Sequence, residues 1–104
     1  MNENEFSTQV KDALKLFGWH FSHFRPALTA HGWRTAITGN KGFPDYVATN
    51  GFKVLFIEVK GDGGKLSPEQ QEWQELLRRT GHEVFCWWPK DSDLMIEILG
   101  GRNA

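Results

Sequence analysis

The chain has 104 residues with 12 Lys and Arg against 13 Asp and Glu, a formal net charge of −1, so it suits a single domain over 1–104 and carries no bulk positive field for nucleic acid. Its one cysteine, Cys86, excludes an internal disulfide and a thiolate metal cluster, and within Val-Phe-Cys-Trp-Trp it reads as a buried, inert thiol. No stretch is long and apolar enough for a membrane span, and Met-Asn-Glu-Asn-Glu is no signal peptide, so a cytoplasmic protein is expected.

Taken in chain order, Phe6, Val10, Ala13, Leu14 and Phe17 recur at helical spacing and predict an amphipathic helix from Glu3 to Phe17, stopped by Gly18. Trp19 to Phe24 alternates and predicts a strand. Residues 25–43 contain Pro26, Gly32, Gly39 and Gly42 and read as a long loop with a short strand near Trp33 to Ile37. Residues 13–44 also carry Lys15, Arg25, Arg34, Lys41 and three histidines but no acid, a weak pointer to a phosphate-facing surface. His23 and Arg25 share a strand face, whereas His20 and His23 fall on opposite faces and cannot form one metal pair.

Next, Asp45–Thr49 and Phe52–Lys60 flank Asn50-Gly51, the strongest short hairpin signal in a sequence. Gly61 to Gly64 is a flexible loop. Ser67, Pro68 and Gln70 form a helix start with a capping box, and that helix is expected to bury Trp73, Leu76 and Leu77 and to end at Gly81. Glu83 to Trp88 predicts a strand, Pro89 ends it, and Asp91 to Leu99 predicts a short helix. The α-β-β-β-α-β core with a closing helix implies an α/β fold, a short mixed sheet flanked by helices.

The hairpin suggests a site. A two-residue Asn50-Gly51 loop pairs Thr49 with Phe52, Val47 with Val54 and Asp45 with Phe56. Faces alternate along each strand, so Asp45, Phe56, Glu58 and Lys60 share one face, with Asp45 and Glu58 diagonal at roughly 7–8 Å. Two carboxylates at that spacing can converge on one hard cation. Glu58-x-Lys60 alone is an ordinary ion pair at a strand end. Adding Asp45 behind Gly-Phe-Pro gathers three ionisable groups on one surface, a pattern that favours a functional site. Such a set suits metal-assisted phosphodiester hydrolysis: Mg²⁺ or Mn²⁺ neutralises the phosphate and acidifies water, while a lysine orients that water or stabilises transition-state charge.

Gly42-Phe43-Pro44-Asp45 followed by Phe56-Ile57-Glu58-Val59-Lys60 resembles the signature of the PD-(D/E)XK nuclease superfamily. Leu66-Ser67-Pro68-Glu69-Gln70, Trp73, Leu76 and Gly81 resemble its VRR-NUC branch, the virus-type replication-repair nucleases. Small stand-alone phage and bacterial members are also similar at Glu5-Phe6-Ser7-Thr8-Gln9-Val10, Gly18-Trp19 and Trp87-Trp88-Pro89-Lys90-Asp91. The resemblance spans nearly the whole chain and implies a restriction-endonuclease-like fold. It implies catalytic Asp45, Glu58, Lys60 and Gln70, and a metal shell of Glu5, Asp45, Glu58 and the Val59 carbonyl, with Glu3 the nearby rival to Glu5. Without the resemblance, Glu5 reads as a solvated acid suited to a helix N-terminus and Gln70 as a cap. The segment from Ala30 to Lys41 departs from the Ser/Arg-rich loop of phage-type members, which bears on the DNA contacts expected of His23, Arg25, Arg34 and Lys41.

The activity implied is a DNA endonuclease selective for branched, flap or junction structures in replication, repair or recombination, as a homodimer where a two-fold junction demands paired sites. A restriction-like or nicking enzyme is one alternative. A nuclease fold that binds DNA without cutting, or lends its fold to a larger complex, is another.

Overall fold

The computed structural model describes residues 1–24, 27–29, 32–34 and 38–101, and for residues 27–29, 33 and 34 the backbone alone. The expected strand near Trp33 to Ile37 is seen only as Gly32–Arg34; its remainder, with Arg25, His31 and the side chain of Arg34, lies outside the described residues.

Helix α1 (Glu3–Leu16) starts at Asn2, whose side chain accepts the Glu5 N–H while the Glu5 carboxylate accepts the Asn2 N–H. Strand β1 (His20–His23) follows, and a separate two-stranded ribbon pairs β2 (Ala27–Thr29) with β3 (Gly32–Arg34). Then come β4 (Tyr46–Thr49), β5 (Val54–Val59), helix α2 (Pro68–Arg79), β6 (Glu83–Trp87), a short 3₁₀ turn Pro89–Asp91 and helix α3 (Ser92–Leu99). The main sheet has the order β1-β4-β5-β6, antiparallel except for the parallel pair β5–β6 that α2 connects. The expected mixed α/β sheet flanked by helices is what the chain forms, with the β2–β3 ribbon added.

Strand alternation divides the molecule into two unlike layers. Leu55, Ile57 and Val59 of β5, with Tyr46, Ala48 and Trp87, pack against Phe6, Val10, Ala13 and Leu14 of α1 and against Met95 and Leu99 of α3. Trp19 pins α3 by donating its indole N–H to the Leu99 carbonyl at 2.8 Å, and Tyr46 pins α1 through its hydroxyl and Ser7 Oγ at 2.6 Å. The opposite face, carrying Val54, Phe56 and Glu58, lies on the side of α2. There the helix buries Gln74, while Trp73 and Leu77 are half-buried and Leu76 is exposed, contrary to the expected apolar trio.

The hairpin register also differs from expectation. Thr49 pairs with Val54 and Tyr46 with Ile57, so the loop has four residues, Asn50 to Lys53. Its cause is local. A two-residue type I′ turn needs positive φ at both positions, yet only Gly51 has it. Asn50 instead accepts the N–H groups of Phe52 and Lys53 at 2.9 and 3.1 Å, and Thr49 Oγ1 donates to the Lys53 carbonyl at 2.8 Å, the side-chain turn that asparagine favours. Phe52 is thrown out to 91% exposure. An even shift of register preserves faces, so Asp45 still shares a face with Glu58, now directly opposite it rather than diagonal.

This division of layers predicts a contrast in stability. Leu14→Ala, in the sealed layer, should cost about 2–5 kcal/mol, and Phe52→Ala should change stability by less than about 0.5 kcal/mol. Urea denaturation with unchanged slope measures both.

Candidate active site

Asp45 stands one residue before β4, where the chain enters the sheet under tight control. Its carbonyl accepts the Phe24 N–H at 2.8 Å, and its Oδ2 accepts the Val59 N–H at 2.8 Å. Ahead of it Pro44 is fully buried, and Phe43 packs edge-on against Phe24, Phe56 and Trp73 at 5.6, 6.0 and 5.0 Å between centroids. Trp73 donates to the carbonyls of Asn40 and Lys41, both at 3.1 Å. Gly42 has φ +100°, and a Cβ there would lie 2.7 Å from Glu69 C and 2.9 Å from Gln70 N. The Gly-Phe-Pro-Asp segment is thus seated against the first turn of α2, which carries Gln70.

Glu58 and Lys60 emerge from β5 and the residue after it. Glu58 is 2% exposed and Lys60 9%. Gln70 links them: its Oε1 accepts from Lys60 Nζ at 2.9 Å and from the Ser67 N–H at 2.9 Å, and its Nε2 donates to Glu58 Oε2 at 3.2 Å. Lys60 Nζ lies 3.6 Å from the same Glu58 oxygen. The capping box expected at Ser67 and Gln70 is formed, so one side chain caps the helix and braces the lysine and the glutamate together.

This cluster has more negative charge than it can neutralise. The Glu58 carboxyl is pushed up to about 9, first by burial, then by the charge of Asp45 and a hydrogen bond shared with it; Lys60 pulls the other way and Glu3 adds a smaller push. Glu58 Oε1 is buried without a hydrogen-bond donor. A buried carboxylate with incomplete pairing costs several kcal/mol. Asp45, Glu58 and Glu3 face the single ammonium of Lys60 in these interactions, an excess of two negative charges when all are ionised. One divalent cation would supply that balance and a partner for Oε1, so the donor set fits Mg²⁺ or Mn²⁺. Among the described residues no three His, Cys, Asp or Glu side chains form a ready metal cage. Two facing carboxylates remain, and Mg²⁺ retains several waters and commonly takes only one or two carboxylates.

The two N-terminal acids part company. Glu5 is engaged in the α1 capping box. Glu3, at the exposed rim, has its carboxyl raised by partial burial first and then by Asp45, with Lys60 opposing, so it is Glu3 whose charge reaches the cluster. Of the expected DNA contacts, His23 lies flat on Tyr46, 4.1 Å between rings and 7° between planes. Lys41 is 83% exposed and pairs with Glu69 at 3.3 Å. Gln74 and Cys86 were not expected near this layer as they stand. Gln74 is buried and accepts from Arg78 at 3.3 Å, and Cys86 is half-buried beside Glu58 across the parallel ladder, its thiol pushed up to about 12 by burial first and by Glu58 next. Helical spacing marks Trp73, Leu76 and Leu77 as the apolar stripe and gives no sign that a glutamine replaces it.

A mixed sheet flanked by helices, with paired acids and a lysine where β4 begins and β5 ends, defines a restriction-endonuclease-like α/β domain. The family model of the VRR-NUC domain matches residues 6–87, and the chain belongs to this family of nuclease domains. The matched stretch contains Asp45, Glu58, Lys60 and Gln70 and begins after both Glu3 and Glu5. No curated protein matches the chain.

Because the folded protein holds the Glu58 proton that the unfolded chain releases near 4.5, the stability it contributes is complete below that pH and is lost as pH rises towards 9. In chelator, thermal melts should show wild type losing stability relative to Glu58→Gln across this window, the two converging near pH 4.5. Parallel curves from pH 4.5 to 9 would contradict the buried-pair account.

Proposed function

We propose that the chain is a divalent-metal-dependent DNA endonuclease selective for branched, flap or junction structures. The observation that carries this reading is the Asp45–Glu58–Lys60–Gln70 cluster, in which Glu58 is buried against Asp45 with one oxygen lacking a donor. Asp45, Glu58 and the Val59 carbonyl hold Mg²⁺ or Mn²⁺, with Glu3 as the N-terminal acid in the place expected of Glu5. The ion, when bound, neutralises the phosphodiester and acidifies water.

The chain's own groups do the rest. The Val59 N–H fixes one oxygen of Asp45 at 2.8 Å and so holds its carboxylate against Glu58. Gln70 holds the Lys60 ammonium beside Glu58, so that its remaining hydrogens can orient an attacking water or meet charge developing on the phosphate. Burial strengthens each of these contacts. Lys41 exchanges Glu69 for a DNA phosphate at little cost, because exposed ion pairs are worth about 0–1 kcal/mol. With a net charge of −1 the protein has no bulk positive field, and recognition rests on a few groups of the acid-free segment 13–44, His23, Arg25, Arg34 and Lys41. That economy favours selection by DNA shape. A two-fold junction is cut by paired sites, which a homodimer supplies.

The test is a panel of labelled junction, flap, nicked, single-stranded and linear DNAs with each ion, run beside sedimentation of the free protein and of the junction complex. Wild type should cut a branched substrate internally, and Asp45→Ala and Glu58→Ala should abolish cleavage. Lys60→Ala should lower cleavage at least about a hundredfold while leaving Mn²⁺ binding largely intact. Equal cleavage by wild type and all three variants, or cleavage unaffected by chelator, would remove the proposal; tight junction binding without cleavage would favour the non-cutting module.

A further inference from the structure

Gly61 follows Lys60 directly, and the backbone there meets the start of α1. A Cβ built on Gly61 would lie 2.5 Å from Glu3 N, 2.9 Å from Asn2 C and 3.2 Å from Asn2 Cα. These are backbone atoms at a helix start, and they cannot swing aside as the tip of a side chain can. Gly61 is buried, and its φ lies outside the left-handed region, so an alanine is conformationally allowed and only space forbids it. The adjoining residue fastens the same contact, with the Asp62 N–H donating to the Met1 carbonyl at 3.0 Å. Gly63 in the same loop is the opposite case: φ is +78° and nothing lies within 4 Å of its Cβ position.

We propose that Gly61 is a positioning residue of the active site, whose missing side chain lets the first turn of α1 lie against the end of β5 and so sets Glu3 beside Asp45, Glu58 and Lys60. This rests on the reading of that cluster as a metal site. The residue acts through Glu3 and touches no substrate. It couples the helix to the strand end by shape, where the sequence shows only a glycine after Glu-Val-Lys.

Calorimetry with Mn²⁺ alone and single-turnover cleavage of the best DNA of the panel test it, on the full chain. Gly61→Ala and Glu3→Gln should each weaken Mn²⁺ binding about ten- to a hundredfold, and the double variant should bind no more weakly than the weaker single variant, because both changes remove one contribution. Gly63→Ala should lose melting temperature through backbone strain and keep wild-type affinity. Unchanged affinity in Gly61→Ala or in Glu3→Gln overturns the positioning role, as do losses that add in the double variant. If Gly61→Ala fails to fold, deleting residues 1–3 in its background removes the atoms it strikes: recovery of folding with the affinity of Glu3→Gln supports the role, and continued failure to fold overturns it. Wild type that neither binds Mn²⁺ nor cleaves removes the proposed function as well, whereas wild-type binding with an unaffected Gly61→Ala removes only this inference.

Discussion

Two carboxylates held face to face where β4 begins and β5 ends, Asp45 and Glu58, are the constraint around which the surrounding residues are arranged. Left alone, a buried pair of like charges opposes folding. The chain meets that opposition with Lys60, with Gln70 bracing both the lysine and Glu58, and with the Val59 N–H on Asp45. These contacts leave Glu58 Oε1 without a donor and its carboxyl pushed up to about 9. A strongly perturbed carboxyl beside a charged partner is the pattern that favours a functional site.

What makes the imbalance tolerable is the division of the sheet into two layers. On one face Leu55, Ile57 and Val59 seal against α1 and α3 and supply the hydrophobic stabilisation. On the other, Phe56 and Glu58 lie under α2, where Gln70 and Gln74 provide amide groups rather than apolar bulk. A single strand therefore serves a core and a site at once, because alternate side chains go to opposite faces. Cys86 lies in the polar layer beside Glu58, and the same burial and negative charge that raise the carboxyl keep its thiol protonated. It is a neighbour of the site across the β5–β6 ladder.

The order of the main-sheet strands and helices, the capping box at Ser67 and the coplanarity of Asp45, Glu58 and Lys60 were legible in the sequence, since each depends on periodicity or on short-range hydrogen bonding, whereas the β2–β3 ribbon was read as a long loop with one short strand. The register was not legible. Asn50-Gly51 suggests a two-residue turn, but Asn50 spends its side chain on two backbone N–H groups and draws four residues into the loop. The coplanarity survived because the shift was even. That Glu5 rather than Glu3 closes the α1 capping box was also out of reach, because both acids suit the first turn of a helix and only the position of Asn2 as cap separates them. Burial of Gln74 in place of Leu76 escaped for a related reason: the hydrophobic stripe of α2 gives no hint of a polar layer beneath it. Gly42 and Gly61 read as punctuation in the sequence and prove to be contact points between backbones.

The account stands on a divalent ion completing the Asp45–Glu58 pair, and its most direct test is anomalous scattering from crystals grown with Mn²⁺, with data collected at the manganese edge. An anomalous peak between these two carboxylates, absent from crystals of Asp45→Asn, is the predicted result. A peak elsewhere on the protein, or an empty pair at saturating Mn²⁺ with Glu58 still hydrogen-bonded to Asp45, would contradict it.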